Sequence, residues 1–260
     1  MQASQNILYQ EADGIAVITL NRPQALNALD VPTLHQLEEA LDTAAASDEA
    51  SAVILTGAGQ IFSAGADIKY LCNATPLEVR DFARLAVRIT NRIENLGKVV
   101  VAALNGDAYG GGLELAEACT LRVLARGARI GHPEVRIGAV AGFGGTTRLA
   151  RLIGKGRAAD MLLRARAIDS EEALQTGLVQ EVADASQVID ATRAIIRDIL
   201  THSPSAVRLT WEALHRGLNM SLDESAELGA DFFGLVAATD DFRRGTRAFV
   251  EKLPPKFSGR

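Results

Sequence analysis

Aromatic residues and cysteines are scarce in this chain. Phe, Trp and Tyr make up 5% of its 260 residues, so a hydrophobic core must be built from Ala, Val, Ile and Leu. Only two cysteines occur, Cys72 and Cys119, and they are far apart and form no CxxC pair. This argues against a disulfide scaffold and against a cysteine zinc site, and it fits a reducing compartment. We therefore expect a cytoplasmic protein.

Long apolar runs and an excess of basic charge are also missing. No apolar run reaches the length of about 18 residues that reads as a membrane span. Residues 1–14 lack the apolar core of a signal peptide and the Arg-rich pattern of a transit peptide. The net charge is −5, whereas a nucleic-acid backbone attracts a basic face. We expect neither a membrane nor a nucleic acid to be a partner.

Common phosphate-binding, nucleophile and metal motifs are absent as well. Gly57-Ala58-Gly59 is followed by Phe62 where a dinucleotide motif needs its third glycine, and no P-loop occurs. Ser63 does not lie in a G-x-S-x-G sequence. The four histidines, His35, His132, His202 and His215, show no metal-ligand spacing. We therefore expect no metal site, and a metal-dependent hydrolase is not favoured.

The first half of the chain alternates short apolar runs with amphipathic segments. Predicted strands cover residues 7–10, 15–20, 52–56, 99–104, 120–125 and 129–131, and predicted helices cover 32–46 and 76–96. This alternation indicates an α/β core with parallel strand pairing. After about Thr146 the sequence reads as helical, with capping patterns at Asp169 and Ser221. We expect a core over residues 1–195 and a helical region over residues 196–260.

Two predicted strands run into segments rich in glycine and alanine. Residues 52–56 lead into 57–59 and 62–69, and residues 99–104 lead into 105–115. Small residues let a ligand atom approach the backbone closely. Two such turns side by side could direct two N–H groups at one oxygen and so form an oxyanion hole. The alternative is that these glycines only make turns and tight packing.

Two glutamates lie in apolar sequence near these turns. Glu114 is surrounded by Gly112, Leu113, Leu115 and Ala116, and Glu134 lies between Pro133 and Val135. A carboxylate near a buried face is costly unless it is paired or neutral, and two of them suit acid–base chemistry. The alternative is an ordinary surface carboxylate, with Arg136 as a possible ion-pair partner of Glu134.

Taken together, these segments resemble the enoyl-CoA hydratases of the crotonase family over nearly the whole chain. The matching segments are LNRP at 20–23, ALNAL at 25–29, FSAGADIK at 62–69, NG at 105–106, GGGLEL at 110–115, PE at 133–134, GFGGT at 142–146, RL at 148–149, TDD at 239–241 and FVEK at 249–252. Each segment alone is weak evidence, but all of them in this order are specific. The resemblance implies an α/β spiral of ββα turns followed by a helical C-terminal region that mediates trimer formation.

The resemblance also implies an enzyme, a carbon–oxygen lyase that hydrates 2-enoyl-CoA thioesters to 3-hydroxyacyl-CoA in fatty-acid β-oxidation. The backbone amides of Ala66 and Gly111 match the family's oxyanion hole, and Glu114 and Glu134 match its two catalytic carboxylates. The residues that match contacts to the CoA thioester are Ala66, Asp67, Ile68, Lys69, Gly111 and Lys252. Coenzyme A arrives with the substrate, so no cofactor or metal is implied. The implied assembly is a trimer or a dimer of trimers.

The chain departs from the family pattern at several positions, and other functions stay open. The departures are Val99 after Lys98, Thr120, His132 before Pro133, and Ala141 before Gly142. His132 and Ala141 are close in sequence to Glu134, so they concern substrate range more than reaction type. One alternative is another crotonase-family acyl-CoA reaction, by an isomerase or a hydratase/lyase. An alternative of a different class is a non-catalytic binding protein with this fold, such as an RNA binder.

Overall fold

The computed structural model describes residues 5–259. Its strands are β1 (Ile7–Ala12), β2 (Ile15–Leu20), β3 (Ala52–Gly57), β4 (Ile61–Ser63), β5 (Val99–Leu104), β6 (Asp107–Tyr109), β7 (Leu121–Ala125), β8 (Arg129–Gly131), β9 (Ala167–Asp169) and β10 (Glu181–Ala183). Its helices are α1 (Val31–Ala46), α2 (Ile68–Leu71), α3 (Pro76–Glu94), α4 (Gly111–Glu117), α5 (Gly145–Ile153), α6 (Lys155–Leu163), α7 (Ser170–Gln175), α8 (Val188–Leu200), α9 (Pro204–Gly217), α10 (Leu222–Ala237) and α11 (Asp240–Glu251). Short 3₁₀ turns cover Pro23–Ala25, Glu134–Ile137 and Ala185–Gln187.

The strands form two sheets. The larger sheet has the order β1-β2-β3-β5-β7-β10, and the smaller sheet has the order β4-β6-β8-β9. Pairing is parallel throughout except for β1 with β2 and β8 with β9, which are antiparallel. Every residue of β3 and β5 is buried, as expected of strands covered on both faces. The prediction of an α/β core with parallel pairing is confirmed.

Helix α3 shows how the local sequence sets an element and its packing. Thr75 and Glu78 form a reciprocal capping box at its N-terminus, and Pro76 occupies the first turn. The apolar residues predicted to share one face are buried; they include Phe82, Leu85, Ile89 and Ile93. Helix α1 contacts α3 and buries Leu34, Leu37 and Leu41 in the same way. The apolar face that the sequence predicts for each of these two helices is therefore the face that is buried.

The chain repeats a unit of two strands and a helical segment three times. Strands β3, β5 and β7 of the larger sheet are each followed directly by β4, β6 and β8 of the smaller sheet, and each pair is followed by a helix. This is the predicted spiral of ββα turns. Because β4, β6 and β8 are parallel neighbours, their carboxyl ends lie at one edge of the smaller sheet. The segments that follow these three strands are thereby brought together.

The structure corrects one prediction about the second half of the chain. The region after Thr146 is not entirely helical, because β9 and β10 each add a three-residue strand to the edge of a sheet. Asp169 caps α7 as expected by accepting from the amide of Glu172, but the Glu172 side chain pairs with Arg166 instead of closing a capping box. Strands this short are defined by their sheet partners more than by their own sequence.

The chain divides into two compact units, one ending at Arg193 and the other beginning at Ala194. The second unit contains α9, α10 and α11. Ser221 and Glu224 form the predicted capping box of α10. Within this unit Asp241 is buried and accepts hydrogen bonds from Ser203, Ser258 and Gly259, which tie α9, α11 and the C-terminal segment together. The predicted role of this unit in trimer formation stays a prediction.

Candidate active site

The two glycine turns predicted from the sequence lie against each other. A Cβ atom added to Gly65, after β4, would lie 3.1 Å from the amide nitrogen of Gly111 and 2.7 Å from the carbonyl oxygen of Tyr109. A Cβ atom added to Gly112 would lie 2.6 Å from the Cβ of Ser63. Any side chain at these positions would separate the turns, so glycine is required for their close approach.

The amide of Ala66 is directed away from its backbone neighbour. Ala66 pairs with Leu29 in an isolated parallel bridge, in which the carbonyl of Gly65 and the amide of Asp67 bond to Leu29 at 2.8 Å. In a parallel ladder the amide of the residue between these two points to the opposite side. In the described part of the chain, neither this amide nor that of Gly111 donates to a backbone carbonyl. Both amides can therefore serve a ligand oxygen.

Glu114 lies on α4, one helical turn after Gly111, and is 1% exposed. Its Oε1 accepts hydrogen bonds from the amides of Phe143 and Gly145, both at 2.7 Å. Burial is the largest influence on the pKa of this carboxyl and raises it to about 7, against smaller lowering effects from the Gly145 amide and the charge of His132. Such a pKa suits a group that takes or gives a proton near neutral pH.

Glu134 follows β8 and begins a 3₁₀ turn. A Cβ atom added to Gly110 would lie 2.9 Å from its Oε1, so its carboxylate touches the second glycine turn beside Gly111. Both carboxylate oxygens are buried and have no hydrogen-bond partner among the described residues. Arg136, the ion-pair partner considered from the sequence, donates instead to the carbonyl of Ala165 at 2.8 Å. The Glu134 carboxylate thus has no donor among the described residues that a substrate would need to displace.

A buried ion pair beside these glutamates was missed by the sequence analysis. His132 Nε2 lies 2.8 Å from Glu117 Oε1, and both side chains are 0% exposed. Nδ1 of the same ring lies 3.5 Å from Glu134 Oε1, an ion-pair distance without hydrogen-bond geometry. Burial lowers the pKa of His132, but the negative charges of Glu117 and Glu134 and the hydrogen bond with Glu117 together outweigh it and raise the pKa to about 10. The signal in the sequence was a second glutamate, three residues after Glu114, on the same apolar helix.

The predicted CoA-contact segment is continuous but its members have different surroundings. The Asp67 carboxylate accepts from the amide of Lys69 at 3.0 Å and lies 3.2 Å from the Arg22 guanidinium, so it holds the start of α2. Ile68 and Lys69 are exposed. Lys252 is exposed at the end of α11, in the second unit. Contacts of these residues with CoA stay predictions.

A cavity of about 550 Å³ is lined in part by His132 and Pro133, the residues just before Glu134. Its lining includes four arginines: Arg129, Arg136, Arg164 and Arg166. Two of them donate to backbone carbonyls, and the other two pair with Asp160. Neither candidate glutamate and neither candidate amide belongs to this lining. The cavity therefore does not contain the candidate groups, although His132, which contacts Glu134, contributes to its lining.

Over residues 5–259, no group of three or more His, Cys, Asp or Glu side chains is arranged to hold a metal ion. Over the same range, no helix is both long and apolar enough to cross a membrane.

Comparison with known proteins gives a family. The family model described as Enoyl-CoA hydratase/isomerase matches residues 10–260. The chain is 39% identical over 248 residues to the short-chain-enoyl-CoA hydratase of Clostridium acetobutylicum, covering 95% of each chain. It is also 39% identical over 256 residues to the crotonyl-CoA hydratase of Syntrophomonas wolfei, covering 98% of each.

Solved structures agree with this assignment. The enoyl-CoA hydratase of Bacillus anthracis superposes with a TM-score of 0.94 at 35% identity, covering 98% of this chain and 100% of the other. An enoyl-CoA hydratase of Geobacillus kaustophilus gives the same TM-score at 33% identity, covering 99% and 98%. The resemblance drawn from the sequence and the predicted fold are both confirmed. The chain belongs to the enoyl-CoA hydratase/isomerase family.

Proposed function

We propose that this enzyme adds water to the double bond of a 2-enoyl-CoA thioester and yields a 3-hydroxyacyl-CoA. The supporting observation is the meeting of four groups at the carboxyl ends of β4, β6 and β8. These groups are the amides of Ala66 and Gly111 and the carboxylates of Glu114 and Glu134. Relatives named as hydratases of short-chain enoyl-CoA and crotonyl-CoA support the same reaction.

The amides of Ala66 and Gly111 form the proposed oxyanion hole. Attack of water at Cβ moves negative charge onto the thioester oxygen. Two fixed N–H donors stabilise that charge without reorganising, and losing one such donor typically costs about 2.7–4 kcal/mol of barrier. The close approach at Gly65 keeps the two donors adjacent.

Glu114 and Glu134 are the proposed base and acid. Glu114 takes a proton from water as the oxygen–Cβ bond forms, and Glu134 gives its proton to Cα. The Oε1 of Glu114 is held by two backbone amides, so the second oxygen of this carboxylate is the one that we expect to face the water. After one cycle Glu114 carries a proton and Glu134 has lost one, so a proton must return from Glu114 to Glu134 before the next cycle.

Asp67, Ile68 and Lys69 line the entrance for CoA, and Lys252 supplies a cation from a neighbouring subunit. The proposed hydration transfers no electrons and uses no redox group or metal. CoA enters as part of the substrate. We propose a homotrimer or a dimer of trimers that works in the cytoplasm in fatty-acid β-oxidation.

The direct test is turnover of crotonyl-CoA and longer 2-enoyl-CoAs, followed by loss of enoyl absorbance. We expect Glu114→Gln and Glu134→Gln each to lower kcat by about 10²–10⁴-fold or more, because general acid–base groups contribute factors of this size. Glu39→Gln, an exposed change on α1, is the matched control and should keep normal turnover. Near-normal rates in either active-site variant would remove that residue from the mechanism.

Product analysis separates hydration from isomerisation within the family. An isomerase moves the double bond with one carboxylate and adds no water, so its product keeps the mass of the substrate. We expect the product to gain one water. A 3-enoyl product that persists in Glu114→Gln but not in Glu134→Gln would favour the isomerase.

A further inference from the structure

His132 is held between two carboxylates. One ring nitrogen, Nε2, lies 2.8 Å from Glu117, and the other, Nδ1, lies 3.5 Å from Glu134. Glu117 is on α4, one turn after Glu114, so a single helix presents one carboxylate to the reaction site and another to the histidine. A Cβ atom added to Gly145 would lie 2.9 Å from both the Cγ of Glu114 and the Cε1 of His132, so the ring edge also faces Glu114.

The two contacts of the His132 ring require a minimum number of protons on His132, Glu117 and Glu134 together. A neutral imidazole has one N–H, whereas a carboxylate has none. With both glutamates ionised and the histidine neutral, one of the two nitrogen–oxygen contacts would join two acceptors in a buried site, which is costly. One additional proton resolves this, either on the histidine or on a glutamate. Since Glu117 makes the shorter contact, Nε2–H is fixed there, and the additional proton belongs to the contact between Nδ1 and Glu134.

We propose that His132, fixed by Glu117, is a positioning residue that shares a proton with Glu134 and returns Glu134 to its acid form in each cycle. The inference rests on the proposed role of Glu134 as the acid. Once the 3.5 Å contact shortens to a hydrogen bond, the proton moves from Nδ1 of the imidazolium to Oε1 of the Glu134 carboxylate, which leaves a neutral imidazole and a carboxylic acid. The acid then protonates Cα. The imidazole regains its proton from Glu114, directly or through water, so the cycle closes without an outside donor.

The charged groups around the ring are consistent with this role. Glu114 and Glu117 face it from α4, and Glu134 faces it from its own segment. Helix α5 contributes Gly145, which has no titratable side chain. His132 also lines the cavity whose four arginines are engaged by backbone carbonyls and by Asp160. Beyond Glu117, the buried Arg122 on β7 adds a positive charge that acts on Glu117. The 2.8 Å contact with Glu117 therefore holds the ring in place.

The pH dependence of kcat/KM tests the proposal. In the wild type, activity at high pH falls when the shared proton is lost, and Glu117 delays that loss. We expect Glu117→Gln and His132→Gln each to move the basic limb to lower pH by about one to three units, because an opposite charge nearby shifts a pKa by that amount. We expect KM for crotonyl-CoA to change little, since both side chains of the pair are fully buried.

Two controls separate this role from packing. His35→Gln removes a histidine that also faces a glutamate, Glu38 at 3.7 Å, but whose side chain is 55% exposed, so it should leave the profile unchanged. In the double variant Glu117→Gln/His132→Gln, the shift should equal that of His132→Gln alone, because Glu117 acts through the histidine. Additive shifts, or folded single variants with a wild-type basic limb, would overturn the proposal.

A measurement that needs no turnover tests the shared proton independently of the proposed hydration. The protonation of the imidazole nitrogens can be followed by NMR on histidine-labelled protein, with His132→Gln identifying the signal. We expect His132 to be doubly protonated at neutral pH and to lose its proton at lower pH in Glu117→Gln and Glu134→Gln. A ring that titrates at the same pH in all three proteins contradicts the shared proton, even in an enzyme that hydrates no enoyl-CoA.

Discussion

At the residue scale, Glu114 is a carboxyl whose folded environment works against its charge. Burial raises its pKa to about 7, and the amides of Phe143 and Gly145 only partly oppose this. In the unfolded chain the same carboxyl has its ordinary pKa near 4.3. The folded state therefore binds this proton more tightly, and this contribution to stability is full below the unfolded pKa and is lost as pH rises through about 7.

Replacing this carboxyl should stabilise the protein while it removes activity. Gln at position 114 keeps an oxygen that can accept from the two amides but carries no charge to bury. We expect Glu114→Gln to raise the free energy of unfolding at about pH 8 by roughly 1–3 kcal/mol, with little gain at about pH 4. Thermal unfolding at both pH values measures it. A variant equally destabilised at both would contradict the burial cost.

Gly145 provides a second prediction at this scale. A Cβ atom there would lie 2.9 Å from both Glu114 and His132, and neither buried side chain has room to move. We expect Gly145→Ala to cost about 1–3 kcal/mol of stability and to lower kcat more than tenfold, because overpacking shifts both side chains. Gly156→Ala is the matched control: it lies in α6 with nothing within 4 Å of the added Cβ, so it should be neutral or stabilising.

At the element scale, α4 is fixed at both ends. Its first residues are held by the close contact of Gly112 with Ser63. At its last turn the buried Arg122 donates to the carbonyls of Ala116 and Cys119, at 3.3 Å and 2.7 Å. This one helix carries both Glu114 and Glu117, so its position sets the distances on which the proposed chemistry depends.

Removing the Arg122 guanidinium from the end of α4 should affect both stability and rate. We expect Arg122→Met to lower the free energy of unfolding by about 2–4 kcal/mol, because buried carbonyls lose their donor, and to lower kcat as the helix shifts. Arg126→Met is the control: its pair with Asp184 is exposed on both sides and should contribute at most about 1 kcal/mol. Denaturant titration of both variants decides it. Equal effects would show that burial of Arg122 is unimportant.

The exposed lysines on α2 and at the end of α11 give a prediction about CoA. The protein is acidic overall, with a net charge of −5, and the phosphates of CoA need local cations. We expect Lys69→Ala and Lys252→Ala to raise KM more than they lower kcat, because a remote group is held equally in the ground and transition states. The effect should shrink as salt rises. Unchanged CoA affinity at low ionic strength would show that both lysines are ordinary solvated residues with no role in binding CoA.

At the scale of the whole molecule, the second unit exposes several large apolar side chains, the kind of surface that association with another chain would bury. The side chains concerned are each more than half exposed: Leu222, Phe233, Leu235, Phe249, Val250 and Leu253. We expect a sedimentation mass of about three or six times 27.6 kDa, and a lower mass for Phe249→Glu. A wild-type mass near 27.6 kDa at micromolar concentration would contradict an oligomer.

Much of the fold could be predicted because its local patterns are strong. The apolar face of α3 and the fully apolar strands β3 and β5 matched their predicted positions to within a few residues. Strands β4, β6, β9 and β10 were missed, because three residues carry no periodicity and become strands only beside their partners in a sheet. Of the site, the glycine turns and two glutamates were visible in the sequence. The pair of His132 and Glu117 was not visible, because the chain passes through β7 and β8 before His132 reaches Glu117.

The sequence by itself determined the alternation of elements, the glycines at the strand ends and the family. These depend on residue type and spacing along the chain, which are local properties. Only the tertiary structure decided that Glu134 is free of Arg136, that Glu114 is held by the amides of Phe143 and Gly145, and that His132 stands between two carboxylates. The burial of these side chains and the distances to their partners determine how easily each one carries a charge. Both arise when parallel strands bring distant segments to one edge of a sheet.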